Sequence, residues 1–217
     1  MAHGLAHGLA HLNAAIGLFA ASIIAVGASR ALAAEAADWP CIQRKVATLT
    51  SAQMWDGPDV DGLTGWRDNE EMSKLIAVLV SRRVPLDQAA AAVAQFAAAQ
   101  PHDKRDGALK VLFAGLLSTI NNDRDAVMNG IERFQRRQKA RAAEIERQDG
   151  ELRQLKERAA SDENARTQLA AAEEKHNWDV RIFTERQQSL PLACEVPVVI
   201  EQRLFELARE IRSHMNE

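Results

Sequence analysis

Tyrosine is absent from this 217-residue chain, and aromatic residues supply only 5% of it. A core must therefore be built from Leu, Ile, Val and Ala. An excess of one charge is missing too: 27 Lys+Arg stand against 30 Asp+Glu, a formal net charge of −3. That balance removes the electrostatic argument for nucleic acid, whose backbone asks for a concentrated basic surface. No strand-like alternation extends beyond a few residues. There is no Gly-rich phosphate loop, no G-x-S-x-G, no H-E-x-x-H and no Cys/His metal spacing. Carboxylate pairs such as Glu70-Glu71 and Glu173-Glu174 are adjacent, so a helix splays them apart instead of converging them on a substrate. The expectation is a non-catalytic protein with no cofactor.

What the chain has in quantity is Ala, Leu, Glu, Gln and Arg, the residues that lose least entropy in a helix. The expected class is all-α: a small helical domain, a long projecting antiparallel helical hairpin and a C-terminal return helix. The boundaries expected are 34–122 for the domain, 123–190 for the hairpin and 191–217 for the final helix.

Residues 1–33 read as a signal peptide. An apolar run from Ala14 to Ala28 is followed by Arg30 and the small-residue string Ala31-Leu32-Ala33-Ala34, which places cleavage after Ala33. The segment before the run lacks Lys and Arg, a departure from the usual pattern. Arg30 arrives too early for a membrane span, which needs about 20 apolar residues. The alternative, an uncleaved anchor, remains open at this point. Export followed by cleavage makes the protein periplasmic or secreted, with no membrane contact afterwards. It also discards His3, His7 and His11, whose spacing on a helix could otherwise hold a metal.

Two cysteines, Cys41 and Cys194, stand near opposite ends of what remains. An even pair in an oxidising compartment points to a disulfide, and the absence of C-x-x-C argues against a redox motif. Closing a loop of this length stabilises by about 5 kcal/mol in the chain-entropy model.

In 34–122, Thr50 reads as the N-cap of a short helix through Trp55. Leu49-Thr50-Ser51-Ala52-Gln53 resembles the L-T-x-x-Q pattern of periplasmic helical chaperones of the Spy and CpxP type, and the resemblance implies a chaperone-like binder. Those proteins carry two copies where this chain carries one, and any Thr-capped helix entered through Leu gives the same letters. Residues 56–68 form the most loop-like stretch, rich in Gly and Asp. With Gly62 at the turn of a calcium loop, Asp59 and Asp61 take ligand positions; Asp56 and Asp68 flank them. Gly57 then falls on the first ligand position and Asp68 replaces the bidentate Glu, so the fit is incomplete. The other reading is a solvated turn in which Asp68 caps the next helix. Three helices follow: from Asn69 with Met72, Leu75, Ile76, Leu79 and Val80 inward; from Leu86 to Ala99 between Pro85 and Pro101; and from about Asp103 to Ile120.

Asn122 and Asp123 look like caps for a new helix reaching Ala159, and Ser161-Asp162-Glu163 like the start of its partner, which runs to Ser189. A reversal near 161 sets Leu155 opposite Leu169, Ile145 opposite Trp178, Arg141 opposite Ile182, Phe134 opposite Leu190 and Ile131 opposite Leu192. A rival turn at Asp149-Gly150 leaves Trp178, Phe183 and Leu190 without partners. The apolar seam is thin, so the hairpin reads as an arm. Arg133, Arg137 and Arg141 align on one face of it. They form a candidate partner-binding basic face, with pairing to Glu144 and Glu185 on a solvated surface as the other reading. A last helix opens at Pro197 with Ile200, Leu204, Leu207 and Ile211 as one stripe.

The function expected from these features is contact with another protein or with a second copy, as adaptor, scaffold or chaperone-like binder. The alternative is a calcium- or metal-binding protein using the Asp56–Asp68 loop.

Overall fold

A computed structural model describes residues 38–216. The expected leader, its cleavage after Ala33 and the histidines at 3, 7 and 11 lie outside the described residues. The described chain is all-α. After a strap without regular structure (39–50) come α1 (Ser51–Met54), α2 (Glu70–Val80), α3 (Leu86–Ala99), α4 (Arg105–Ala159) and α5 (Glu163–Ser213).

Local chemistry accounts for the short helices. Gln53 Oε1 accepts a hydrogen bond from the Thr50 backbone N–H at 2.9 Å. That is one half of a capping box, so the L-T-x-x-Q letters start a single helical turn. Asn69, one residue later than the Asp68 expected, caps α2: its Oδ1 accepts from Met72 N at 3.0 Å, ahead of Glu70 and Glu71 in the first turn. The other end of α2 and the loop after it are served from α5, where the Arg203 guanidinium donates to Leu79 O in the last turn at 2.6 Å and to Val84 O in the loop at 3.0 Å. A cation placed there meets the orphan carbonyls of a helix C-terminus. α3 buries Ala89, Val93 and Ala97, small side chains that let its backbone come close to the core.

α4 and α5 differ from expectation in length. α4 runs 55 residues and α5 runs 51, each without interruption. Asn122 and Asp123 do not begin a helix. The neighbouring Asn121 amide instead clasps the strap, accepting from Leu49 N and donating to Leu49 O, both at 2.9 Å. Ile120, Arg124, Met128 and Ile131 continue one buried face straight through the expected break. Pro191 and Pro197 likewise sit inside α5 rather than ending one helix and opening another. Each costs about 3 kcal/mol in a helix interior. Packing beyond Pro191 carries α5 on: Cys194 and Pro197 are buried, and so are Ile200, Leu204, Leu207 and Ile211.

The expected domain and hairpin are therefore cut from the same pair of helices. At the open end of the pair, Leu109, Leu112, Phe113, Leu116, Leu204, Leu207 and Ile211 join Leu79 and Val93 in one core with no exposed surface. Trp55 stacks on Phe113 with ring centroids 4.4 Å apart and planes 14° from parallel. Gly115 admits α2 and the Trp66 ring: a Cβ there would lie 2.3 Å from Ile76 Cδ1 and 2.9 Å from Trp66 Cγ. At the far end of the chain Asn216 returns to the start of α4, its backbone N–H and its amide both donating to Asp106 Oδ1 at 3.1 Å. Among the described residues, the hydrogen bonds and ion pairs between elements past Lys139 join α4 to α5, which makes this part an arm. It reverses over 160–162, where the Asp162 side chain caps α5 by accepting from Asn164 N at 2.9 Å. No helix among the described residues is long and apolar enough to cross a membrane.

Candidate functional site

Cys41 and Cys194 are joined, with Cα atoms 5.6 Å apart and the two residues 153 positions apart in sequence. The bond fastens the strap across α4 and α5, and polar contacts continue the attachment along it. Gln43 donates to Cys194 O, Trp39 Nε1 donates to Gln43 O at 2.7 Å, and Lys45 Nζ lies 2.6 Å from Glu132 Oε1. Asp38 meets Lys139 at 2.9 Å and Arg136 at 3.3 Å. The Lys139 hydrogen bond leads in holding the Asp38 carboxyl below its ordinary range, and Arg136 adds to it.

The acidic loop has a different arrangement from the one its spacing suggested. Asp56, Asp59, Asp61 and Asp68 are all exposed. Asp59 Oδ1 accepts from Asp61 N and Asp61 Oδ1 accepts from Ser51 Oγ, each at 2.9 Å, so these two carboxylates shape a turn. Gly62 takes the left-handed conformation there, φ +77°. Among the described residues no group of three or more His, Cys, Asp or Glu side chains is placed to hold a metal.

The basic face is split by the structure. Arg133 and Arg137 are exposed, while Arg141 turns to the seam and meets Asp179 Oδ1 at 3.2 Å. The expected pairing with Glu144 and Glu185 is not formed. Glu144 holds Arg147 at 2.6 Å and Gln148 at 3.1 Å, and Glu185 accepts from Arg181 at 3.1 Å.

The seam of the arm is polar at its centre. Gln138 is only 3% exposed and donates to Phe183 O at 3.3 Å; Gln148, 6% exposed, donates to Asp179 Oδ2 at 2.8 Å. Lys175, bound to Asp179 at 2.8 Å, leads in holding that carboxyl below its ordinary range, with Gln148 and Arg141 adding to the effect. His176 faces Asp149 at 3.4 Å. This network takes the place reserved for Ile145 and Trp178. Trp178 instead stands 57% exposed, with the Arg181 guanidinium 5.3 Å from its ring centroid. Leu192, expected against Ile131, is 67% exposed. A rotation of α5 that turns His176 and Asp179 inward carries Trp178 outward, since adjacent residues lie about 100° apart around a helix.

One feature escaped the sequence reading. Strap, α1, α4 and α5 line a half-open cavity of about 480 Å³ with Trp39, Val46, Met54, Met128, Val198 and Phe205 among its walls. Arg124 lies in its lining and is 2% exposed. Its Nη2 donates to Val46 O at 3.1 Å and stands 3.6 Å from Glu201 Oε2, while Nε and Nη1 have no acceptor among the described residues. Burial lowers the guanidinium's pKa and Glu201 opposes that shift. A buried donor left unmatched costs about 1–3 kcal/mol. The signal available in the sequence is an arginine within the stripe of Ile120, Met128 and Ile131. No family profile matches this chain, and no curated protein or solved structure matches it.

Proposed function

We propose that this is a non-catalytic, exported helical protein working through protein contacts, as adaptor, scaffold or chaperone-like binder, with its arm as the contacting part. Trp178 carries this reading. A tryptophan 57% exposed on a helix whose own seam is polar, with Arg181 lying against the ring, offers the two side chains most enriched at the energetic centres of interfaces. The exposed Arg133 and Arg137 on the other helix add a charged flank for an acidic partner. Export rests on the leader-like pattern of 1–33 together with the Cys41–Cys194 bond, which an oxidising compartment sustains.

Placing a photo-crosslinking phenylalanine analogue at 178 tests the reading. The expected product is a defined adduct, either with another protein or with a second copy, that Trp178→Ala protein no longer forms non-covalently. A protein that stays monomeric and captures nothing from a periplasmic extract defeats it. Sequencing the N-terminus of the exported form tests the address, with Ala34 as the expected first residue.

A further inference from the structure

We propose that the cavity between strap, α4 and α5 is a binding site for a small amphiphilic carboxylate, an alkyl chain ending in one carboxyl group. This site is separate from the arm and does not depend on the contact function proposed for it. The size is suitable: about 480 Å³ falls within the range of pockets that enclose a small organic ligand. Its walls are mostly apolar, with Met54 from α1, Met128 from α4, and Val198 and Phe205 from α5. Val198 and Phe205 are exposed although they belong to the otherwise well-packed end of α5.

The single buried cation in the lining supplies the polar end. Arg124 carries N–H groups without an acceptor at Nε and Nη1, and the Nη2 N–H that Val46 O does not take completes a fork with one of them, the shape matched to a carboxylate. Among the described residues nothing else accepts from Nε or Nη1. Glu206 also lies in the lining, and the carboxylate that faces the guanidinium is Glu201, at 3.6 Å, longer than a hydrogen bond, on a side chain 43% exposed. It is a movable partner that an incoming carboxylate displaces toward solvent. A neutral alkanol offers that fork a single uncharged oxygen, and a cationic ligand offers it no acceptor and meets Arg124 as a like charge. Both are therefore discriminated against.

Titration calorimetry of the disulfide-bonded protein with dodecanoate, below its micellar concentration, tests the site against dodecanol and dodecyltrimethylammonium. One saturable site is expected, binding dodecanoate at least tenfold more tightly than either control. Phe205→Asp, a change at an exposed position, should weaken dodecanoate at least tenfold while helical circular dichroism stays unchanged. Glu201→Gln removes the competing carboxylate and should tighten dodecanoate several-fold, an effect that a purely structural Arg124–Glu201 pair does not produce. Equal affinity for dodecanol, indifference to Phe205→Asp, or weaker binding in Glu201→Gln each overturns the proposal. So does tighter binding of a peptide with an apolar C-terminal residue and free carboxylate, which would assign the cavity to a protein terminus.

Discussion

At the open end of the α4–α5 pair, Leu109, Leu112 and Leu116 pack on Leu204, Leu207 and Ile211 with no exposed surface. Toward the turn, the same two helices meet through Gln138, Gln148, Asp179 and His176, with Leu152, Ala159 and Ala165 as the buried apolar residues. Apolar burial stabilises at roughly 25 cal/mol per Å² and is indifferent to direction. A polar seam gains little net energy, but each buried amide accepts only a narrow set of partners, so a slip in register leaves it unmatched. The open end thus supplies stability, and the arm supplies a fixed register with little stability of its own. The arm therefore unfolds locally before the core does.

Reduction of that difference to single residues gives tests of graded size. The largest effect is expected from Cys41→Ser with Cys194→Ser: a loss of about 2–5 kcal/mol in urea unfolding. Hydrogen exchange should show the loss in the core and strap, while amides near the arm's turn, already open by local unfolding, keep their rates. A uniform acceleration instead would erase the distinction between the two regions. Next comes a pair of glycines on one helix. Gly115→Ala should destabilise by about 1–3 kcal/mol, because its Cβ collides with Ile76 and the Trp66 ring. Gly150→Ala, where the nearest outside atom is the end of the flexible Arg153 side chain at 3.9 Å, should slow exchange in the arm by up to about 1 kcal/mol. Shifts of the same sign would break the comparison.

The smallest effect concerns pH. The Asp179 carboxyl is held below its ordinary range in the folded arm, so its contribution is complete above the unfolded-state value, about 3.9. It drains away as pH falls through the folded value. Acidification below about pH 4 should therefore raise arm exchange rates more than core rates, and Asp179→Asn should remove that extra sensitivity. If the wild type and the variant respond alike to acid, the seam's charge pairing contributes nothing to the arm.

The parts legible in the sequence were those with a local chemical cause. Pro85 and Pro101 bracket α3, and the Ser161-Asp162-Glu163 start signal stands at the observed turn. The two cysteines had no competitors for pairing. Local signals failed where a neighbour offered more. Asn122 and Asp123 have good capping chemistry, but the apolar face from Ile120 to Ile131 keeps packing on α5, and one continuous helix results. Trp178 was assigned to the seam by its size, which outranks glutamine on any hydrophobic scale. The seam instead admits the long amide of Gln148 against Asp179. Arg124 and its cavity depend on the strap lying across two helices, and no window of sequence contains that arrangement.

The disulfide also sets an order in time. Cys41 is synthesised 153 residues before Cys194, so at about 5–20 residues per second it waits roughly 8–30 s for its partner to exist. During that interval the strap has no α5 to cross and the cavity lacks a wall. The strap is thus fastened only after most of α5 has been made. A chain truncated anywhere before Cys194 leaves Cys41 as a free thiol, a chemical mark that separates unfinished molecules from complete ones.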